Sequence, residues 1–218
     1  MPPTYQSPMQ RENEWRSDMQ GLAQQPGILL DLGGGTPYQG YIRRGDVGSQ
    51  TAYLCLDIRR EAHPHVVADA LSLPIADEAV NAIFCNAVLE HVSNPQQVIN
   101  EMYRVLTGPG KIMTAVPFIY PYHDQVDYFR FTHTALQQMF HQFSRVQIVP
   151  VGDYFFVTLL FLTGFNFNIA RRLDPLLTIV RFAFRVAIRL LGTSHFTRQH
   201  ERSIHNSPVG WHIYATKA

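Results

Sequence analysis

The chain is 218 residues long, 46% apolar and only 16% charged, with a formal net charge of +1. That length suits one α/β domain with an appendage, and the near-zero charge excludes the basic footprint of a nucleic-acid binder. Ten histidines add positive charge only below neutral pH.

Residues 1–27 carry Pro2, Pro3, Pro8 and Pro26 around a polar run. They read as a leader that packs one aromatic on the domain. A short helix over 12–22, with Trp15, Met19 and Leu22 on one face, is the alternative. No basic-then-apolar pattern marks a signal peptide, so a cytoplasmic location is expected.

Ile28-Leu29-Leu30-Asp31 then runs through Leu32 into Gly33-Gly34-Gly35. An apolar run ending in an acid and glycines is a buried parallel strand with a ligand held at its carboxyl end. Glycines let backbone groups approach that ligand without a Cβ in the way. A second apolar run over 51–57 ends in Asp57, about twenty residues on, where an acid accepts hydrogen bonds from ribose hydroxyls. His65 to Ala70 is a third, short strand through Asp69, Leu71 to Asp77 a turn-rich link, and Ala79 to Asn86 a fourth strand. Pro95 to Leu106 is an amphipathic helix with Val98, Ile99, Met102 and Val105 on one stripe and Glu101 and Arg104 opposite. Gly108-Pro109-Gly110 stops it, and Lys111 to Pro117 is the fifth strand. Cys55 and Cys85 fall inside strands and read as buried, unpaired thiols. Thr132 caps a helix reaching Phe143, and 143–150 and 211–217 are the last two strands. Repeated alternation of strand and helix argues a doubly wound parallel sheet.

Five pieces of this order resemble the class I S-adenosylmethionine-dependent methyltransferases of the small type 11 kind. They are Asp31-Leu32-Gly33-Gly34-Gly35, Asp57, Asp69-Ala70 with Leu73-Pro74, Leu89-Glu90-His91, and Arg104-Val105-Leu106 before Gly108-Pro109-Gly110. The resemblance covers roughly 28–150 and the last strand. It implies a Rossmann-like, seven-stranded, mostly parallel sheet with an antiparallel C-terminal strand, and S-adenosylmethionine as cofactor. It places Gly33, Gly34 and Gly35 at the amino-acid end of the cofactor, with Asp31 near its amino group. Asp57 would take the ribose, Ile58 the adenine face, and Asp69, Ala70 and Leu71 the adenine edge. Asn86 and His91 would lie by the methionine part. A departure is Pro37-Tyr38, where many members have a third glycine, which implies a stiffer loop. A nicotinamide dehydrogenase would need glycine where Tyr38 stands, and a phosphate-binding loop would need Gly-Lys-Ser/Thr, which is absent.

Beyond the fifth strand, residues 117–132 mix aromatics with His123, Asp127 and Arg130 at the carboxyl end of the sheet, and resemble the Pro-Tyr-His…Asp-Tyr-x-Arg-Phe-Thr segment of one type 11 subgroup. By residue type, His123 is the candidate base. Asp127 orients it or binds substrate, Arg130 holds an anionic group, and Tyr122 and Tyr128 line the acceptor pocket. The alternative for Asp127, Arg130 and the tyrosines is a structural knot. Between the last two strands an insertion over 151–208 is apolar at 154–165, and Leu176 to Leu191 carries Arg181, Arg185 and Arg189 on one helical face, with Arg171 and Arg172 before it. It reads as a membrane-surface helix, or else as a lid or homodimer face. His195, His200, His205 and His212 are spaced too irregularly to predict a metal. The expected divisions are therefore 1–27, 28–150, 151–208 and 209–218. The expected function is methyl transfer from S-adenosylmethionine to an oxygen or nitrogen of a small-molecule or lipid-linked acceptor. A non-catalytic protein of the same fold, docking on a membrane or partner through 154–191, is the alternative.

Overall fold

A computed structural model describes residues 8–190 and 207–218. Its centre is a seven-stranded sheet in the order β3-β2-β1-β4-β5-β7-β6. The strands are β1 (Gly27–Leu32), β2 (Thr51–Asp57), β3 (Val66–Val67), β4 (Val80–Asn86), β5 (Leu106–Pro117), β6 (Arg145–Val151) and β7 (Gly210–Thr216). β1 lies parallel to β2 and β4, β2 to β3, and β4 to β5. Ser144 N–H reaches Thr216 O at one end of the β6–β7 pair and Val209 N–H reaches Val151 O at the other, so the C-terminal pair is antiparallel. The sheet is thus mostly parallel and doubly wound, as its alternating sequence predicts.

β1 is buried from Leu29 to Leu32 because both faces of the sheet are covered. On one face lie α2 (Pro95–Val105) and α3 (His133–Met139), through Val98, Ile99, Met102, Leu136 and neighbours. On the other lies the end of α1 (Pro8–Ala23), through Trp15, Met19 and Leu22, against Leu29, Phe84 and Met113. Residues 8–23 of the expected leader are therefore a helix, which buries Trp15, Met19, Leu22 and Ala23 rather than one aromatic. Trp15 stacks on His212 with ring centroids 3.9 Å apart.

Local chemistry sets the boundaries. Asn94 caps α2 by accepting Gln97 N–H, and Pro95 needs no partner in the first turn. α2 runs straight into β5, so Gly108-Pro109-Gly110 lies inside the strand instead of ending the helix. Arg104 does not face solvent freely. It donates to Leu73 O and Ile75 O and pairs with Asp77 and Glu101, pinning the 71–77 link to α2. Thr132 caps α3, which stops at Met139, short of Phe143. The expected third strand shrinks to two residues, because His65 turns its Nδ1 to Cys55 N–H and Asp69 turns a carboxylate oxygen to Leu71 N–H. Cys55 and Cys85 are buried and free.

The chain divides into two compact units, one of residues 15–149 with 211–218 and one of residues 1–14 with 150–210. In the second, Asp153 caps α4 (Tyr154–Leu162) by accepting Phe156 N–H, and α4 packs on α5 (Phe167–Leu190) through Phe156 and Phe167. Arg171 pairs there with Glu12. α5 begins earlier than the predicted cationic helix and passes through Pro175. Leu176, Ile179 and Phe182 are 60–69% exposed on it. The side chains of Arg181, Arg185 and Arg189, and His195, His200 and His205 altogether, lie outside the described residues. Among the described residues no helix is long and apolar enough to cross a membrane.

Candidate active site

β1 carries the glycine turn to the carboxyl edge of the sheet. Gly33 has φ +74°, and a Cβ there would lie 2.3 Å from Val88 Cγ2, so both conformation and space demand glycine. Gly34 lies on Asp31, since a Cβ would come 2.4 Å from Asp31 Oδ2. Asp31 is buried, and its carboxylate accepts the Tyr53 hydroxyl at 2.6 Å. Burial pushes the Asp31 pKa up to about 6, against the Tyr53 bond, and the Asp57 charge adds to the rise. Tyr38, where the third glycine is missing, takes φ 62°. Its ring packs 4.5 Å from Tyr53 with the Arg44 guanidinium 4.6 Å above it. Aromatic packing thus holds a left-handed residue that ordinary side chains avoid.

Asp57 closes β2 and ties the turn to it, accepting Gly35 N–H at 2.9 Å. Arg59 wraps the same carboxylate, donating from its backbone N, Nε and Nη2 at 2.9, 3.1 and 3.1 Å. Burial pushes the Asp57 carboxyl up, but the Arg59 bonds and charge, helped by Gly35 N–H, outweigh it, and the carboxyl lies below its ordinary pKa.

A cavity of about 730 Å³ opens beside this pair. Of the residues expected around a cofactor, Gly33, Asp57, Ile58, Asp69, Ala70 and His91 line it. Ile58 is 66% exposed, a bare apolar face on the cavity wall. The remaining five do not line it. Asp31 and Gly34 sit behind the turn, Gly35 gives its N–H to Asp57, and Leu71 packs on the core. Asn86 yields its place to Ala87, at φ 53°, and Val88. The sequence reading missed Arg59, which shares the Asp57 carboxylate, and Asp124, Gln125 and Val126, which form the far wall.

The far wall belongs to the 117–132 loop, which docks on the turn Leu89–His91. Glu90 O accepts Tyr128 N–H at 2.7 Å, and Phe131 N–H returns to Pro117 O at 3.0 Å. Asp127 is fully enclosed, with its Oδ2 3.1 Å from His123 Nδ1. Arg130 bonds to both Asp127 oxygens and also to Tyr120 O, Pro121 O and Phe129 O. These five bonds use every N–H of the guanidinium. The expected hold on an anionic substrate is therefore corrected: Arg130 has no donor to spare, and it and Asp127 form the knot of the loop. Arg130 holds the Asp127 carboxyl down to about 2, so Asp127 is ionised wherever the protein works. Tyr122 and Tyr128 are 68% and 58% exposed, and Tyr122 Oη donates to Gln125 O. Neither lines the cavity. His123 stands at its rim, its ring 5.0 Å from that of the wall residue His91.

The sheet order, with acids at the ends of β1 and β2 and the glycine turn between them, is that of the Rossmann-like fold of S-adenosylmethionine-dependent methyltransferases. A methyltransferase-domain family model matches residues 44–114. An uncharacterized methyltransferase of Mycobacterium leprae is 36% identical over 98 residues, which are 39% of this chain and 35% of that protein. The ubiquinone/menaquinone biosynthesis C-methyltransferase UbiE of a Ruegeria species is 26% identical over 166 residues, 64% of this chain and 60% of that one. The chain thus spans about a third to three-fifths of the length of these curated relatives. Among solved structures, a SAM-dependent methyltransferase from Archaeoglobus fulgidus superposes over 97% of this chain and 95% of its own, with a TM-score of 0.58 at 14% identity, a likeness of fold.

Proposed function

We propose that the chain is an S-adenosylmethionine-dependent methyltransferase acting on an oxygen or nitrogen of a small-molecule or lipid-linked acceptor. One observation carries the cofactor reading: the cavity is bounded by a glycine turn and by Asp57 and Asp69, with Ile58 bare between them. Asp57 receives the ribose hydroxyls, Ile58 covers the adenine, and Asp69 with Ala70 takes its amino edge. Asp31, behind the turn, supplies a negative charge toward the cofactor's ammonium. S-adenosylmethionine supplies a methyl carbon on a sulfonium. The chain's part is to hold the acceptor in line with it and to take the proton lost as the new bond forms. His123 is the group for that proton. Pro121 O takes its Nδ1–H and the Asp127 carboxylate lies 3.1 Å from the same nitrogen, which leaves the Nε2 lone pair toward the acceptor and a fixed charge behind the imidazolium. The sulfonium would itself be the leaving group, so alignment and a proton acceptor are what the chain's own residues have to supply.

Calorimetric titration with S-adenosylmethionine and S-adenosylhomocysteine is the direct test. Micromolar binding of both, followed by transfer of labelled methyl to hydroxyl- or amine-bearing acceptors, is expected. Absence of binding to the intact chain would overturn the reading. Transfer to a ring carbon, the reaction named for the Ruegeria relative, would keep the cofactor site and correct the acceptor atom.

The Asp31 pKa of about 6 gives a pH prediction. The cofactor's ammonium favours the ionised carboxylate, so affinity is expected to fall as pH drops from 7 to 5. The same group, raised from an ordinary 3.8, favours folding below that value and loses this contribution as pH rises through about 6. Asp31→Asn is therefore expected to melt at a higher temperature than the parent at pH 8 while binding the cofactor more weakly, with no remaining step in affinity near pH 6. An unchanged pH step in the variant would reassign the titration.

For the lipid-linked acceptor, the supporting feature is the second unit, where Leu176, Ile179 and Phe182 stand exposed on a helix rich in arginine. Binding to vesicles containing anionic lipid is expected to fall steeply between 50 and 500 mM salt. Salt-independent self-association without vesicle binding would make this face a dimer contact instead.

A further inference from the structure

We propose that Glu90, His91 and His123 form a binding site for a divalent transition-metal ion, zinc being the natural occupant. Each offers one ligand atom, and the three atoms lie within 4.8 Å of one another. Donors on a tetrahedral zinc at about 2.0–2.2 Å stand about 3.3–3.6 Å apart, so closing the set needs about an ångström of movement. Rotation of the His123 side chain, at an exposed position, can supply it with the backbone in place.

Two independent features point to an ion rather than to a chance meeting of polar groups. The first is Glu90. It is 1% exposed, and its Oε2 is buried with no hydrogen-bond partner. A buried carboxylate oxygen without a partner is costly, and a cation is the ligand that would satisfy it. The second is the arrangement behind the histidines. His91 Nδ1 is spent on Val126 O, and His123 Nδ1 bonds to Pro121 O at 3.3 Å with the Asp127 carboxylate 3.1 Å away. Both acceptors require the proton on Nδ1, so each ring keeps its Nε2 lone pair. Metal-bound histidines are held in this way, the outer N–H given to a carbonyl or a carboxylate. The backbone is fixed as well, since Tyr128 N–H on Glu90 O locks the loop carrying His123 to the turn carrying the other two ligands.

Binding itself does not rest on the methyltransferase reading. The two readings meet at His123, whose Nε2 cannot both ligate an ion and accept an acceptor's proton. An ion here therefore inhibits transfer, and the site is a point of metal control at the rim of the cavity.

The test is titration of the chelator-treated full chain with Co²⁺, read by its d–d absorption, and with Zn²⁺ by calorimetry. One ion per chain is expected, with affinity at least tenfold weaker in His123→Ala and in Glu90→Gln. Because Glu90 is buried, each variant's melting curve is compared with the parent's, and His123→Ala, at an exposed position, carries the decision if Glu90→Gln does not fold. A chain with His195, His200 and His205 all replaced by alanine is expected to keep the ion. No binding, binding unmoved by His123→Ala, or binding lost with those three histidines would each overturn the proposal. If the ion binds but the chain takes no S-adenosylmethionine, the metal site stands and the cofactor reading falls.

Discussion

Asp57→Ala is expected to weaken S-adenosylmethionine binding by about 100- to 10,000-fold. Hydrogen bonds to a charged partner contribute about 1.5–3 kcal/mol each, and the carboxylate is positioned to receive two ribose hydroxyls. Losing both amounts to about 3–6 kcal/mol, which is about two to four orders of magnitude in affinity. The variant also strands Gly35 N–H, which now donates to Asp57 at 2.9 Å, so the glycine turn loses its tie to β2. Asp57→Asn separates the two effects: its amide oxygen can still take Gly35 N–H, while the charge is gone. An intermediate loss in Asp57→Asn would measure the ribose part, and the further loss in Asp57→Ala the tie to Gly35. Arg59 competes for the same oxygens in the cofactor-free chain. Its side chain is 60% exposed, so displacing it costs little, and Arg59→Ala is expected to hold or slightly improve affinity. Unchanged binding in Asp57→Ala, measured by calorimetry on folded protein, would remove the ribose site from this cavity.

The parts of this site that were legible in sequence share one physical property: the chain itself forces them. β1 from Leu29 and the end of β2 from Cys55 are buried, so they are written as apolar runs, and an acid at the end of such a run sits at the carboxyl edge of the sheet. Asp31 and Asp57 were found that way. α2 was legible because its stripe recurs at helical spacing. The N-terminal helix was not, because it shows the sheet only Trp15, Met19 and Leu22 among mostly polar residues, a pattern equally suited to a leader. The grip of Arg59 on Asp57 was invisible, since a spacing of two residues says nothing of direction outside a regular element. Glu90 shows no role within its motif, because a glutamate in a short turn reads as surface. Only the returning loop, bonded to its carbonyl, shows that it is buried. Arg130 was misjudged for a related reason: its residue type permits a substrate clamp, and only the positions of Tyr120, Pro121 and Phe129 carbonyls show that its donors are used up.

His123→Ala is expected to lower the turnover rate by about 100- to 10,000-fold, the range that a positioned acid–base group contributes. Cofactor affinity should change less than threefold, because His123 stands at the rim of the cavity and not among its lining residues. That split between rate and binding is the signature sought. A structural role for the ring would instead disturb the loop and, through Asp124, Gln125 and Val126, the cavity wall and cofactor affinity together. The knot makes the split attainable. Asp127 keeps both its bonds to Arg130 when the imidazole is removed, so its enclosed charge is not left bare. Added imidazole should recover part of the lost rate if the missing element is a proton acceptor, since a small base can enter the space that the side chain vacates. A full rate in His123→Ala with the physiological acceptor would remove His123 from the chemistry, leaving proximity and orientation in the cavity to account for transfer.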